Sequence, residues 1–414
     1  MKFEDLVDAY YITRKNKRNS PEQVEFDMHW EGNLLKILEE VNNRTYKQSA
    51  YTFVVVDPKP REVFASDTGT RVLHHYLDIR LRPLLEKRLT DRTYNNRVGK
   101  GTSACQQKVR EDIFNATEGY KKDAWIIKLD ISSCFPNIRQ DIAYKQLLKV
   151  IEEDYFGEDK DDLIYLLGVC LFFSPDKDGC ERRCSEDKWK IIPPEKSIFN
   201  KPQGIGAMIG HLIWQNAVNY YFNEIDKYAL TITPYYNRFT DDMFFIVKDK
   251  KSFLKNAIPE LRRRLEPLGA KLNEKKFYCQ HYSKGCECLG VHIKFDRVYV
   301  NKRVISRGKE KARSFNYDIC EDKIDDLLAS MNSYLGLCKN ANSYKQALNI
   351  VNCLSPKWEQ FVHFDSSRCC LVANEGFTKR ERIIRKFNLK QNNERLRNSR
   401  GNSTPRGNNP RKHR

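Results

Sequence analysis

Two adjacent aspartates, Asp241 and Asp242, stand inside a strongly apolar run: Tyr235-Tyr236-Asn237-Arg238-Phe239-Thr240-Asp241-Asp242-Met243-Phe244-Phe245-Ile246-Val247. Apolar residues on both sides of this polar break predict a β-hairpin with the carboxylates at its turn. Two carboxylates held that close repel each other. A fold tolerates them most readily when a cation neutralises them, and hard oxygen ligands suit Mg²⁺. An isolated Asp-Asp in a loop would be a solvated turn, and the apolar flanks argue against that here.

A second signal lies upstream. Trp125-Ile126-Ile127-Lys128-Leu129-Asp130 predicts a buried strand ending in a carboxylate, and Ile131-Ser132-Ser133-Cys134-Phe135-Pro136-Asn137 a turn after it. Two-metal phosphoryl transfer needs carboxylates from separate strands, which clamp one ion at the attacking oxygen and one at the leaving oxygen. Asp130 alone would read as a helix N-cap. With Asp241 and Asp242 it reads as the third member of one set.

At these residues the chain resembles a reverse transcriptase of the bacterial retroelement type. Asp130 to Phe135 resembles the first palm motif of that family. Phe239-Thr240-Asp241-Asp242 resembles its Tyr-x-Asp-Asp box, with Phe in place of Tyr. The resemblance covers roughly residues 50 to 370 and implies an α+β right-hand polymerase fold, with fingers, a palm built as an antiparallel sheet on helices, and a helical thumb.

The whole composition agrees with a polyanionic partner. The 414 residues carry 73 Lys and Arg against 55 Asp and Glu, a formal net charge of +18. Such a surplus points most simply to nucleic acid. A hydrophobic content of 40% is enough for real cores. Thirteen cysteines, an odd number, follow a polar start without a signal-peptide pattern, so free thiols in a reducing cytoplasm are expected. No apolar run approaches about 18 residues, so no membrane span is expected.

Along the chain, residues 1–50 read as a helical extension, 51–120 as fingers, 121–300 as palm, 301–390 as thumb and 391–414 as a disordered basic tail. Strands are expected at Tyr51–Val56 and after Pro60, and helices at Arg71–Leu89, Asn216–Tyr228 and Asp322–Leu337. Residues 153–200 read as a polar insertion whose acidic run Glu158-Asp159-Lys160-Asp161-Asp162 is solvated. The tail carries seven Lys and Arg against one Glu, and it cannot bury a core. Gly99-Lys100-Gly101 permits close backbone approach to an anion but lacks the Walker pattern.

The resemblance assigns roles to further residues. Lys59 and Arg61 match the fingers positions that grip the incoming triphosphate, a task suited to a lysine and an arginine on a short hairpin. Phe135 matches the steric gate that excludes a 2′-hydroxyl. Gln203-Gly204-Ile205-Gly206 opens the second palm motif, where glycines allow close approach to nucleotide and template. Ile209-Gly210-His211-Leu212-Ile213-Trp214-Gln215 is similar to the (aliphatic)-Gly-x-x-x-Ser-Gln pattern of diversity-generating retroelement enzymes, with Trp214 in place of Ser. Gly204, Gly210 and Gln215 join Gln203 as nucleotide-site residues. Lys275, in Gly269-Ala270-Lys271-Leu272-Asn273-Glu274-Lys275, matches the lysine that protonates leaving pyrophosphate. Glu287-Cys288-Leu289-Gly290-Val291 resembles the primer grip, so Leu289, Gly290 and Phe239 are expected at primer or template. Asn332-Ser333-Tyr334-Leu335-Gly336 resembles the start of the thumb.

The implied function is RNA-directed DNA polymerisation on two Mg²⁺ ions, with Mn²⁺ as a substitute, held by Asp130, Asp241, Asp242 and the backbone of Ile131. The implied partners are a structured template RNA, the RNA/cDNA duplex, dNTPs and an accessory protein. The biological role expected first is a diversity-generating retroelement. The alternatives are an antiphage defence enzyme copying a dedicated noncoding RNA and, from a different class, a non-catalytic RNA-binding scaffold.

Overall fold

In the computed structural model, residues 1–385 are described, apart from 16, 19, 57 and 58. The expected basic tail, 391–414, lies outside the described residues. Contacts divide the chain into two units that meet in sequence between Cys286 and Glu287. The expected palm–thumb boundary, near residue 300, falls inside the second unit.

The first unit opens with helices α1 (Phe3–Arg14), α2 (Pro21–Met28) and α3 (Trp30–Asn42), which pack against a longer helix, α4 (Thr68–Arg88). Between them lies an antiparallel hairpin, β1 (Ala50–Val55) and β2 (Arg61–Ser66), whose alternating burial follows the two-residue strand period. Asp67 caps α4 by accepting from the Thr70 amide at 2.7 Å. Helix α5 (Thr102–Ala116) leads to β3 (Trp125–Asp130), and α6 (Gln140–Asp154) and α7 (Lys160–Leu171) follow. The short strand β4 (Glu181–Arg182) adds to β1 in parallel, and α8 (Glu186–Lys190) comes after it. The expected helix Asn216–Tyr228 is two helices, α9 (Leu212–Tyr221) and α10 (Asn223–Ile232). They break at Phe222, where the Asn223 amide group donates to the Arg88 carbonyl at 3.1 Å.

The apolar run of the Asp pair forms β5 (Tyr236–Phe239) and β6 (Asp242–Val247), joined through Thr240 and Asp241. After α11 (Lys250–Ser252) and α12 (Ile258–Leu265) comes β7 (Tyr278–His281). The central sheet has the order β5-β6-β3-β7, and every neighbouring pair is antiparallel. Its middle strands are buried on both faces, so their sequences are apolar without alternation. Ile127, Leu129, Met243 and Phe245 face the main core with residues of α6, α9 and α12. Lys128, Asp130, Asp242 and Phe244 alternate with them and turn to the opposite face.

Within the acidic run 158–162, Glu158 and Asp161 are exposed as expected, whereas Asp159 and Asp162 depart from the expected solvation. Asp159 accepts from Tyr76 at 2.6 Å, Tyr155 at 2.5 Å and Arg80 at 2.5 Å. Asp162 accepts from Arg44 at 2.6 Å and from the Met1 ammonium. The reason is helix α7, whose Leu163, Leu166, Leu167 and Leu171 are fully buried. Burying that face draws its acidic N-terminus against Tyr76 and Arg80 of α4, Tyr155, Arg44 and the Met1 ammonium. Residues 153–200 are therefore partly core.

The second unit holds the sheet β8 (Cys286–Cys288), β9 (Val291–Ile293) and β10 (Val298–Val300), with β8 beginning at the boundary. Three helices follow, α13 (Lys302–Ser314), α14 (Ile324–Asn340) and α15 (Tyr344–Val351), packed around Leu327, Met331, Leu335 and Ile350. A hairpin, β11 (Val362–Asp365) and β12 (Cys370–Ala373), was not anticipated in an all-helical thumb. Asn332 of α14 holds it, donating to the Leu371 carbonyl at 2.9 Å and accepting from its amide at 2.7 Å. Cys105, Cys134, Cys170 and Cys338 are free thiols buried in the fold. Among the described residues no helix is long and apolar enough to cross a membrane.

Candidate active site

Asp130 closes β3 and Asp242 opens β6, and the two are register partners. Directly opposed residues place their Cβ atoms about 4.5–5.5 Å apart, and like charges there are destabilising. Asp241 sits on the turn before Asp242, and its carbonyl accepts from the Ile131 amide at 3.0 Å. The three aspartates and the Ile131 backbone are thus gathered at one end of the sheet.

The surrounding groups answer part of this charge. Asp130 accepts from the Asn273 side-chain amide at 2.8 Å and from the Lys276 ammonium. The Asn273 backbone amide donates to the Asp130 carbonyl at 2.8 Å, which fixes the segment beside β3. The Lys128 ammonium lies 3.0 Å from Asp242. No described ion pair joins a lysine to Asp241. Burial, then the charges of Asp242 and Asp130, push its carboxyl up to about 6, with Lys276 opposing. Burial also pushes the neighbouring Cys134 thiol up, and Asp241 adds to the effect.

Lys276, Asn273 and Lys128 were missed in the sequence. Lys128 was legible, because it alternates with Asp130 along β3 and must share its face. Lys276 was not, since only the geometry of the turn Glu274–Lys276 separates it from its neighbour. Lys275, the expected general acid, is exposed on that turn, and its backbone amide donates to the Asn273 side chain at 3.2 Å.

The glycine segment comes close to both sides of the site. The Phe135 carbonyl accepts from the Ala207 amide at 2.8 Å, so the expected gate residue is tied to this segment. Gly204 accepts from the Gln140 amide at 2.9 Å, and the Gly206 amide donates to the Ile138 carbonyl at 2.7 Å. Gly210 has φ +109, and a Cβ there would stand 2.3 Å from the Phe64 carbonyl oxygen. The Phe64 amide donates to the Ile209 carbonyl at 2.7 Å, joining the segment to β2. Gln203 is exposed and accepts from Lys177 at 2.5 Å, while Gln215 is half-buried on α9. Lys59 and Arg61 stand exposed at the β1–β2 turn, and no described ion pair joins Arg61 to the aspartates. Phe239 ends β5 opposite Asp242. Leu289 and Gly290 form the left-handed turn between β8 and β9, in the second unit. In Gly99-Lys100-Gly101 the lysine side chain turns to neighbouring groups of the chain. Its ammonium donates to the Asp91 carbonyl at 2.5 Å and stands over the Tyr94 ring.

Among the described residues, no group of three or more His, Cys, Asp or Glu stands close enough to hold a metal ion. Asp130 and Asp242 are met by lysine ammonium groups instead. The donor chemistry still fits a hard divalent cation: carboxylate oxygens from two strands, and a carboxyl at Asp241 whose ionisation the fold opposes. Lys276 is half-exposed on a flexible stem and can yield its position.

The family model for reverse transcriptase (RNA-dependent DNA polymerase) matches residues 59–293, more than half of the chain. The protein belongs to the reverse transcriptase family. Its fold is the α+β polymerase fold of that family, built from helices and antiparallel sheets. Asp130, Asp241 and Asp242 all lie within the matched residues. No curated protein matches this reverse transcriptase in sequence. Among solved structures it is similar to apo telomerase from Candida tropicalis truncated from its C-terminal domain, at 12% identity and a TM-score of 0.43, covering 66% of this chain and 60% of that one. It is also similar to telomerase from Candida albicans in complex with the TWJ fragment of telomeric RNA, at 11% identity and a TM-score of 0.42, covering 80% of this chain and 60% of that one. The chain thus spans about three-fifths of the length of those telomerases.

Proposed function

We propose that the protein is an RNA-directed DNA polymerase that extends a primer on a template RNA. The observation that carries this reading is the set of three aspartates at one end of the β5-β6-β3-β7 sheet, with Asp241 left at a raised pKa of about 6. Asp130, Asp241, Asp242 and the Ile131 carbonyl would hold Mg²⁺, with Mn²⁺ as a substitute. When bound, the ions supply positive charge at the attacking and leaving oxygens.

The chain's own residues do the rest. Lys59 and Arg61 take the triphosphate of the incoming dNTP. Phe135 packs against C2′ and excludes a hydroxyl there. Gly204 and Gly210, beside Gln203 and Gln215, let the main chain approach the nascent pair. Phe239, Leu289 and Gly290 contact primer or template. The 3′-oxygen attacks the α-phosphorus and loses its proton, the bond to pyrophosphate breaks, and Lys275 gives a proton to the leaving group.

The finer reading is a bacterial diversity-generating retroelement enzyme, copying a structured RNA with an accessory protein in a reducing cytoplasm. Gln215 and the Gly210 spacing support it. Free cysteines such as Cys105, Cys134 and Cys170 support the compartment. Trp214, fully buried where that pattern has Ser, is the departure. The test is dNTP incorporation on a primed RNA with Mg²⁺, beside Asp241→Ala/Asp242→Ala, with the products sequenced. Synthesis lost in the variant supports the polymerase, and errors at template adenines support the diversifying branch. Faithful copying moves the reading to antiphage defence. Synthesis that survives in the variant overturns the site, and RNA binding without synthesis favours the scaffold.

A further inference from the structure

Arg238 is fully buried, three residues before Asp241, and its bonds converge on the turn that carries the aspartate pair. Its Nε and Nη2 donate to the two oxygens of Asp226, each at 2.7 Å, and Nη2 also donates to the Asn219 carbonyl at 2.8 Å. Its Nη1 donates to the Thr240 carbonyl at 3.1 Å. Asp226, equally buried, accepts in addition from Tyr236 at 2.6 Å and Thr93 at 3.0 Å. The Arg238 backbone is clamped as well: its amide donates to the Arg92 carbonyl at 2.8 Å, and its carbonyl accepts from the Tyr94 amide at 3.0 Å.

Thr240 has φ +56, a left-handed conformation unfavourable for a β-branched residue. Such a residue persists only where its surroundings fix it. The fixing groups are visible: Nη1 of Arg238 on the Thr240 carbonyl, and the Ile131 amide on the Asp241 carbonyl. A buried ion pair is seldom the most stable filling for a core, so this pair invites a reason other than stability. A bidentate guanidinium with one nitrogen left over is the group that can hold Asp226 and the turn together.

We propose that Arg238 is the positioning residue of the active site: locked by Asp226, it holds Thr240 left-handed and so sets where the Asp241 carboxylate points. The proposal rests on the polymerase reading for its consequence in catalysis, but not for the tether itself. Arg238 touches neither substrate nor the reacting atoms in this role.

The test uses the full chain with Arg238→Lys and Arg238→Lys/Thr240→Gly. Lysine keeps the charge beside Asp226 but lacks the fork that also reaches Thr240. Circular dichroism and melting establish that each variant is folded. Two readouts follow. Hydrogen exchange over residues 236–243 reads the tether directly, and exchange at the turn is expected to quicken in R238K. Single-nucleotide extension of a primed RNA reads its consequence: kcat is expected to fall about 100-fold while the KM for dNTP moves by less than about threefold. Glycine at 240 takes φ > 0 without strain, so the double variant recovers part of the lost kcat. Folded R238K with unchanged exchange and unchanged kcat overturns the proposal. A loss of kcat that T240G does not relieve, or one seen wholly in KM, also overturns it and leaves Arg238 a core residue. If the wild-type chain makes no DNA, the polymerase reading fails and the exchange measurement alone decides the tether.

Discussion

Two of the chain's Asp-Asp doublets, Asp161-Asp162 and Asp241-Asp242, look alike on paper, and the fold treats them in opposite ways. Around the first, burial would raise the carboxyl of Asp159, but hydrogen bonds from Tyr155, Tyr76 and Arg80 overcome it and hold the group at about 2. Asp162 is likewise met by Arg44 and the Met1 ammonium. That cluster is neutralised by the chain itself and fastens α7 to the N-terminal helices and α4. Around the second, three carboxylates share one sheet end, and Asp241 is left raised to about 6. Carboxylates brought together and not fully paired are a device for binding something positive, whereas carboxylates brought to their own donors are structural.

The largest effect that tests this contrast is catalytic. Asp241→Ala/Asp242→Ala is expected to lower primer extension by about 10³-fold or more, in a protein whose melting temperature is unchanged or raised, since it loses a like-charge contact. A variant that melts much lower would put the second doublet in the same class as the first. Next come the two lysines. Lys275→Ala is expected to lower single-turnover kcat about 100-fold as the loss of a general acid, and Lys276→Ala about tenfold through its contact with Asp130. The reverse order in rapid-quench kinetics would transfer the proton to Lys276.

The structural cluster answers to stability. Asp159→Ala is expected to cost about 2–3 kcal/mol in denaturant unfolding, because it strands the Tyr76 and Tyr155 hydroxyls and leaves Arg80 to Asp5 alone, with extension by the folded fraction retained. Smaller again are the pH effects, which have opposite signs. A carboxyl lowered by folding stabilises the protein above its unfolded value, so the Asp159 contribution is complete above about pH 4 and is lost as pH falls through about 2. A carboxyl raised by folding destabilises when it ionises, so the metal-free protein loses stability at Asp241 as pH rises from about 4 to about 6. Mg²⁺ at pH 7 should then raise the melting temperature of the wild type by a few degrees and that of Asp241→Asn by less. Equal shifts in the two proteins would show that the cation acts elsewhere.

The central hairpin and the strand ending in Asp130 were legible because burial on both faces writes itself as unbroken apolar sequence around a polar stop. The β1–β2 hairpin, α4 and α14 were legible for a similar reason, with their ends a few residues from where expected. The break at Phe222 was not legible, since it depends on Asn223 meeting a carbonyl of α4. The β11–β12 hairpin was hidden because what holds it, α14 with Asn332 and Leu335, lies far from it in the chain. Asp159 and Asp162 of the acidic run were misread as solvated because the charges around them masked the apolar face of the helix that follows.

By itself the sequence determined that three aspartates would lie at the ends of neighbouring apolar strands, because strand period and polar breaks are local properties. It also determined a basic chain of reverse transcriptase type, because several motifs occur in one order. Only the tertiary structure decided which charges those aspartates meet: Lys276 in preference to Lys275, Lys128 across the strand, and Arg238 beneath the turn. Lys276 and Lys128 come from segments far from the carboxylates they meet, Arg238 lies near in sequence but is aimed by Asp226, and all three contacts depend on register, turn geometry and burial, which only the packed sheet fixes.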